Sequence, residues 1–194
     1  PEKVIPILSA ILDAVHPETS VKDALYLEGE FLTVDGRKYD LSLYDHVYLI
    51  GFGKASISMA RGVKAVLGEH LTEGRIIAKT LSTTEKLDNI TLYQGSHPVP
   101  TEKSVEGTKK LVELVSGLTG RDLVICVVSG GGSALFTYPH DGILLEELQS
   151  LTSLLLKSGA DINEMNTIRK HIDRVKGGGL AEMIFPASLI TLVL

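Results

Sequence analysis

Apolar residues along the chain follow two spacings, and these spacings predict helices and strands in alternation. Apolar residues three and four positions apart predict helices over 3–15, 55–67, 104–115, 144–157, 163–175 and 181–185. Short, nearly continuous apolar runs predict buried strands over 46–50, 74–78, 90–93, 122–128 and 187–194. Strands that alternate with helices are typical of parallel sheets. We therefore predict an α/β fold: a three-layer, Rossmann-like, open and mainly parallel sheet with helices on both faces.

Residues 21–45 follow a different pattern. Two short apolar runs, Leu25–Leu27 and Phe31–Val34, come before the dipeptide Asp35-Gly36. An Asp-Gly pair has the backbone preferences of a two-residue hairpin turn. The pattern predicts a short hairpin with an Asp-Gly turn ahead of the main sheet.

Composition and charge limit the classes of function. The 194 residues are 44% hydrophobic with a formal net charge of -5, which excludes wholesale disorder and suits one domain over residues 1–194. An acidic chain is a poor candidate for a nucleic-acid binder. No apolar run approaches the roughly 20 residues that span a bilayer, and the first residues lack a signal-peptide pattern. We expect no nucleic-acid or membrane partner, and a cytoplasmic location.

Disulfide and metal sites have little support in the sequence. Cys126 is the only cysteine and lies in the apolar run 122–128, so we predict that it is a core residue. The six histidines show no pair four residues apart, the spacing at which one helix presents two metal ligands. No metal-ligating residue is predicted.

The chain ends on the apolar run 187–194. A domain seldom ends on such a strand, so the sequence predicts part of a longer protein that contains only a portion of a functional site. The same strand predicts either a contact between two copies of the chain, as in a homo-oligomer, or a neighbouring strand.

The segment 51–54, here called the glycine turn, lies between the predicted strand 46–50 and a helix. Gly53 allows a ligand to approach the backbone closely, and a helix that begins nearby directs N–H groups at an anion. Lys54 adds a mobile positive charge. The turn is not a Walker A loop, because the earlier glycine of that motif is missing, and it is not a complete dinucleotide fingerprint, because Ser56 occupies the place of the third glycine. It predicts a phosphate or carboxylate site, and the alternative is a plain turn with a surface lysine.

A second glycine-rich segment follows the most apolar predicted strand, 122–128. This segment, here called the glycine loop, consists of Ser129, Gly130, Gly131, Gly132 and Ser133. Three consecutive glycines carry a large backbone-entropy cost, and successive N–H groups can form a concave anion site. The glycine loop predicts anion binding, and the alternative is a flexible connection.

His97 lies in the segment 95–100, where Pro98 and Pro100 stiffen a loop after the predicted strand 90–93. An imidazole in such a loop can contact a ligand or transfer a proton. The alternative, which the prolines favour, is a local hydrogen-bond partner within a shaped turn. His97 is therefore a secondary candidate.

A local positive patch lies at 166–176, here called the cationic segment. Four polar residues share one side of the predicted helix 163–175, namely Asn166, Arg169, Lys170 and Asp173. Arg174 and Lys176 follow, and a dense group of cations suits a carboxylate or phosphates. The alternative is a solvated helix face with an Arg169–Asp173 pair.

Taken in order, four of these motifs resemble one family, the glycerate 2-kinases (type II glycerate kinases), which form 2-phosphoglycerate. The matching segments are 51–55, 95–100, 129–135 and 166–171 with 176–178, so the resemblance covers most of the chain. It implies the Rossmann-like N-terminal domain of a longer, two-domain enzyme whose active site lies in the cleft between the domains. The chain departs from the family pattern at Asp173, where a small hydroxyl residue is usual, and at Gly179, where a basic residue is common.

The resemblance implies transfer of a phosphoryl group from ATP to a hydroxyl of D-glycerate, with Mg2+ as the usual divalent ion. Lys54 would then neutralise charge at the phosphoryl group or the carboxylate, and Arg169 would bind the carboxylate. The implied substrate- and phosphate-binding residues are Gly53, Ser129, Gly130, Gly131, Gly132, Ser133, Asn166, Lys170 and Lys176. The chain alone is expected to be inactive, because it would supply one side of the cleft.

Two other functions remain open from the residues alone. A dinucleotide-dependent oxidoreductase needs an acidic ribose partner about 20 residues beyond the glycine turn, and Glu73 is available. A non-catalytic module that binds an anion or a phosphosugar needs only the glycine-rich segments and the cations.

Overall fold

The computed structural model describes residues 4–6, 15–81 and 87–194, so the predicted helix 3–15 lies mainly outside the described residues. Helix α1 (Pro17–Ala24) leads into a small antiparallel sheet of three strands in the order β1-β2-β3. The strands are β1 (Leu25–Glu28), β2 (Phe31–Val34) and β3 (Arg37–Asp40).

The predicted hairpin with an Asp-Gly turn is present. Asp35 and Gly36, with φ of 49° and 74°, join β2 to β3, as the positive φ angles of a two-residue hairpin turn require. Its second strand, β3, was not predicted. Strand β3 reads Arg-Lys-Tyr-Asp and lacks the apolar alternation that signals a strand.

The main sheet is fully parallel and has the strand order of a doubly wound fold. Its strands are β4 (His46–Phe52), β5 (Glu73–Ala78), β6 (Ile90–Gln94), β7 (Asp122–Val128) and β8 (Ser188–Val193). They are arranged β6-β5-β4-β7-β8, and every neighbouring pair is parallel. The chain winds outward in one direction from β4 and in the other from β7, so the order reverses between these two strands. Ligands of open α/β sheets bind at the carboxyl ends of the strands beside such a reversal.

Helices cover both faces of the sheet. They are α2 (Ser56–Leu67), α3 (Glu102–Val115), α4 (Gly132–Leu135), α5 (Leu145–Lys157), α6 (Ile162–Arg169) and α7 (Gly179–Ile184). Alternate residues of β7 enter different cores: Leu123 packs with Val63 of α2, and Val124 packs with Leu111 of α3. The predicted three-layer α/β architecture is therefore confirmed.

Cys126 belongs to the core, as its place in an apolar strand predicts. Its side chain is buried, and desolvation by burial raises the pKa of the thiol to about 12. A thiol that remains protonated is a poor nucleophile and a poor metal ligand.

The predicted helix over 163–175 ends early, at Arg169. Residues beyond it pair with a distant segment, because Arg174 N–H donates to Tyr138 O (2.8 Å) and a β-bridge joins Asp173 to Pro139. The Asp173 carboxylate accepts hydrogen bonds from the N–H groups of Tyr138 and Val175. These bonds compete with continuation of the helix, so the prediction that Asp173 shares a helix side with Arg169 was wrong.

Helices α5 and α6 are loosely attached to the rest of the described chain. No residue of α6 is buried. Ile168 is exposed, although its helical spacing with the other apolar residues of 163–175 predicts that it is buried. A side-chain bond from Gln149 Nε2 to Pro100 O (2.8 Å) connects α5 to the His97 loop. Across the described ranges, no helix is long and apolar enough to cross a membrane.

Strand β8 forms one edge of the main sheet. Val193 is largely exposed on it, and Phe185 is exposed just ahead of it. Self-association through this strand stays a prediction.

Candidate functional site

The glycine turn and the glycine loop meet at the carboxyl ends of β4 and β7. Ser129 N–H donates to Phe52 O (3.1 Å), and Lys54 N–H donates to Gly130 O (2.9 Å). The Ser129 hydroxyl oxygen accepts the N–H of Ala55 (2.9 Å). The two loops are thus joined by backbone bonds and by one buried serine.

Glycine is required at position 53. Its φ is +130°, and an added Cβ would overlap the Ser129 side chain and lie 2.5 Å from the Ser129 carbonyl oxygen. Residues with a Cβ rarely adopt this backbone conformation. Gly53 therefore allows the two loops to touch, which is a structural role beside any contact with a ligand.

Lys54, His97 and Gly131 lie together, although Lys54 and Gly131 are 77 positions apart in the sequence. A Cβ built on Gly131 would lie 3.0 Å from His97 Cδ2 and 3.3 Å from Lys54 Cε. Lys54 is exposed, and its side chain has no hydrogen bond or ion pair to the described residues. The predicted motifs 51–54, 95–100 and 129–133 therefore converge on one place.

His97 is held in its neutral form. Partial burial lowers the pKa of its imidazole below the ordinary value of 6.5, and the nearby cations Lys54, Lys79 and Arg169 lower it further. A neutral imidazole at pH 7 can accept a proton or a hydrogen bond.

A cavity of about 290 Å³ opens beside these groups. His97, Gly131, Ser133 and Arg169 form its polar side, and residues of α5 and α6, including Leu155 and Met165, form its apolar side. Burial lowers the pKa of the Arg169 guanidinium, and the charge of Asp173 opposes that shift. In the described part of the chain, no group forms a hydrogen bond or an ion pair with the Arg169 side chain, which suits it to bind an anion.

A second cavity of about 420 Å³ shares Ser133 and Arg169 with the first. Its cationic and polar lining includes Asn166, Lys170 and Lys176. Its apolar lining includes Phe52 and Phe136, whose rings stack at 4.2 Å with an interplanar angle of 4°. The two cavities together bring all the predicted binding segments to the carboxyl side of the sheet.

Two cations of the cationic segment are bonded within the chain: Arg174 pairs with Asp141 (3.5 Å), and Lys176 makes three bonds. Its ammonium donates to Phe136 O (2.9 Å), Thr137 Oγ1 (3.0 Å) and Asp173 Oδ2. Burial lowers the pKa of Lys176, and Asp173 opposes the shift. All three of its protons are committed, and its contact with phosphates stays a prediction.

Sequence reasoning missed several side chains of the site. Phe52 lies within the glycine turn, and Phe136 follows three residues after the glycine loop. An aromatic residue in or near a glycine motif is a signal that could have suggested them. Leu155 and Met165 line the smaller cavity, and neither was predicted as a site residue. A larger cavity, about 510 Å³, lies between α3 and the segment 138–145, and none of the predicted site residues lines it.

The described residues do not fit a magnesium site of their own. They contain no group of three or more His, Cys, Asp or Glu side chains placed to hold an ion. The carboxylate of the cationic segment, Asp173, is buried and bonded to Lys176. A Mg2+ ion that arrives with a nucleotide is held mainly by phosphates and water.

Glu73 lies at the wrong end of its strand for the oxidoreductase alternative. It begins β5 opposite Tyr48, whereas the glycine turn follows the carboxyl end of β4. Its carboxylate accepts a hydrogen bond from Arg75 Nε (2.9 Å). The acidic ribose partner of a dinucleotide site must lie near the glycine-rich turn, so Glu73 cannot serve.

Known proteins are similar to this chain in sequence and in fold. The D-glycerate 2-kinase of Thermotoga maritima is 41% identical over 190 residues, which are 98% of this chain and 42% of that protein. The glycerate 2-kinase of Pyrococcus horikoshii is 36% identical over 187 residues, 96% of this chain and 41% of that protein. The crystal structure of a glycerate kinase from Thermotoga maritima matches with a TM-score of 0.84 at 39% identity, covering 100% of this chain and 44% of that one.

The chain therefore spans less than half the length of these relatives. Their names confirm the resemblance that the four motifs carry. The family model described as Domain of unknown function (DUF4147) matches residues 3–194, and the chain belongs to that family.

Proposed function

We propose that the protein containing this chain transfers a phosphoryl group from ATP to the 2-hydroxyl of D-glycerate. The observation that carries the proposal is the pair of joined glycine segments, with Lys54 and Arg169 unpaired beside two adjoining cavities. The similarity to proteins named glycerate 2-kinase supports the choice of substrate.

The proposed roles follow from charge and position. Lys54, a mobile cation beside the glycine loop, neutralises charge on the transferring phosphoryl group or the carboxylate. The N–H groups of Gly130 and Gly131, which donate to no acceptor among the described residues, bind the same anions. Arg169, with Asn166 or Lys170, binds the carboxylate. Phosphoryl transfer needs little beyond such positioning and charge neutralisation.

His97 is proposed to accept the proton of the substrate hydroxyl. It lines the smaller cavity with Arg169, and its lowered pKa keeps it neutral at pH 7. A base that is already protonated at the working pH cannot take this proton.

A coupled ATP-consumption assay with D-glycerate and Mg2+ tests the proposal on this chain and on the longer protein that contains it. We expect glycerate-dependent turnover in the longer protein and little or none in the chain alone, because the chain supplies one side of the site. Absence of turnover in both, together with saturable glycerate binding, would favour the anion-binding module instead. Absence of both turnover and binding would refute both functions.

A further inference from the structure

A buried series of hydrogen bonds connects the segments that carry the candidate site. It begins next to His97, where Ser96 N–H donates to Ser104 Oγ (3.0 Å) and the Ser96 hydroxyl bonds that of Thr101 (3.0 Å). Thr101 and Ser104 form the capping box that begins α3. The loop that presents His97 is therefore fixed to the first turn of this helix.

The series continues one turn along α3. The hydroxyl of Thr108 donates to Ser104 O (2.7 Å) and accepts the N–H of Thr137 (2.9 Å). Ser104 and Thr108 are fully buried, and Thr137 is 1% exposed. Buried polar groups cost free energy unless they are bonded, so these bonds define the separation of α3 from residue 137.

The side chain of Thr137 then bonds to both remaining segments. Its hydroxyl donates to Ser133 O in the glycine loop (3.3 Å) and accepts from the Lys176 ammonium (3.0 Å) in the cationic segment. Lys176 also bonds Asp173, which accepts the N–H of Tyr138 (3.2 Å). Thr137 thus bonds the glycine loop and the cationic segment directly, and it is connected to the His97 loop through Thr108 and Ser104 of α3.

We infer that Thr137 is a positioning residue of the site: it sets the spacing among His97, Ser133 and the cationic segment without touching a ligand. Neither of the two candidate cavities is lined by Thr137, and the cavity that it does line beside Arg169 measures only about 10 Å³, too little for a substrate. Catalytic geometry is sensitive to shifts of about 1 Å, which can cost about 100-fold in rate. The kinetic part of this inference rests on the proposed function, and the structural part does not.

Two substitutions at Thr137 separate the hydroxyl from the methyl group. Thr137→Val keeps the shape but leaves Ser133 O without its donor and Lys176 with one acceptor fewer. Thr137→Ser keeps the hydroxyl. Thr119→Val is a matched control, because the Thr119 hydroxyl bonds the buried carboxylate of Asp122 (2.9 Å) at the amino end of β7, away from the site.

Hydrogen exchange tests the structural part without any activity. In the longer protein, we expect Thr137→Val to speed amide exchange about 10-fold or more in segments 95–101, 129–137 and 170–177, with 46–52 as the unchanged internal reference. Thr137→Ser should restore the slow exchange, and Thr119→Val should leave these segments as in the parent. If Thr137→Val fails to fold, Thr108→Val removes the acceptor of the Thr137 N–H and should give the same pattern. Exchange that stays within about 3-fold in the three segments would overturn the inference.

Kinetics test the positioning role. We expect kcat/KM for D-glycerate to fall about 10-fold or more in Thr137→Val, with Thr137→Ser within about 3-fold of the parent and Thr119→Val unchanged. An equal loss in Thr137→Val and Thr119→Val would reduce Thr137 to an ordinary stabilising residue and overturn the inference. A parent with no glycerate-dependent turnover would refute the proposed function, and hydrogen exchange would still decide the structural claim.

Discussion

Charged side chains differ in pairing between the amino ends and the carboxyl ends of the strands in the main sheet. At the amino ends, charged groups are paired: Arg121 Nε bonds Asp45 (2.7 Å), His46 bonds Asp122 (2.9 Å), and Arg75 bonds Glu73. The Arg121 guanidinium holds the pKa of the Asp45 carboxyl below its ordinary value. These pairs lie where strands begin, and no candidate cavity involves them.

At the carboxyl ends, several cations lack partners. Lys54, Arg169 and Lys170 form no ion pair with the residues that the structure describes, whereas Arg174 pairs with Asp141 and Lys176 bonds Asp173. Cations grouped around cavities without carboxylates repel one another unless an anion joins them. In this fold, paired charges stabilise the structure, whereas unpaired cations indicate a site for an anionic ligand.

The largest effect is expected from removing an unpaired cation. In the longer protein, Lys54→Ala should lower kcat/KM for D-glycerate about 100- to 1000-fold, as loss of one group that stabilises transition-state charge does. Steady-state kinetics measure the effect. Arg121→Ala, which removes a paired cation at the opposite end, should leave kcat/KM unchanged, and equal losses in the two variants would abolish the distinction between the ends.

Backbone contact between the glycine turn and the glycine loop should be nearly as sensitive. Gly53→Ala combines about 1–2 kcal/mol of conformational strain with about 1–3 kcal/mol of overpacking against Ser129, so we expect about 3 kcal/mol of lost stability in urea unfolding. Gly36→Ala is the control, because φ there is +74° and nothing lies within 4 Å of the added Cβ. It should cost only the strain, and matching losses would show that the loops tolerate a Cβ.

Arg169 is expected to affect binding more than turnover. Arg169→Ala removes a charged hydrogen-bond donor worth about 1.5–3 kcal/mol, so KM for D-glycerate should rise about 10- to 100-fold with a smaller change in kcat. Lys157→Ala, at the end of α5, is the matched control and should change neither constant. A loss confined to kcat would assign Arg169 to the phosphoryl group and not to the carboxylate.

The smallest effect concerns the titration of His97. Its pKa in the folded protein lies below the ordinary value, so the unfolded chain binds the proton first. The contribution of His97 to stability is therefore complete above the unfolded pKa and is lost as pH falls toward the folded pKa. Lys54→Met should raise the folded pKa toward 6.5 in an NMR titration, and Arg121→Met should not. A midpoint that Lys54→Met leaves unchanged would separate Lys54 from His97.

Much of the fold could be predicted because its strands are continuous apolar runs. Strand β7 lies inside the sheet, between β4 and β8, and is buried on both faces, and its apolar sequence fits that position. The end of α6 at Arg169 could not be predicted, because the pairing of Asp173 with Tyr138 and Pro139 joins residues more than 30 positions apart. Local spacing carries no information on such contacts.

The site divides in the same way. Lys54 and the glycine loop are recognisable because glycine clusters after strands have a specific physical use. The place of Thr137 is invisible in the sequence, since an isolated threonine shows no pattern and its importance depends on three bonding partners that converge only in the fold. The partners of Lys176 were likewise unpredictable from charge alone.

We expect the cations at the carboxyl ends of the strands to bind the glycerate anion, and calorimetric titration measures this binding directly. D-glycerate would be added to the longer protein with Mg2+ and a non-hydrolysable ATP analogue present, with glycerol as the ligand that lacks a carboxylate. We expect saturable binding of D-glycerate and no binding of glycerol. The binding of D-glycerate should be lost in the Lys54→Ala/Arg169→Ala double variant and retained in Arg121→Ala. Equal binding of D-glycerate by the parent and the double variant would contradict this expectation.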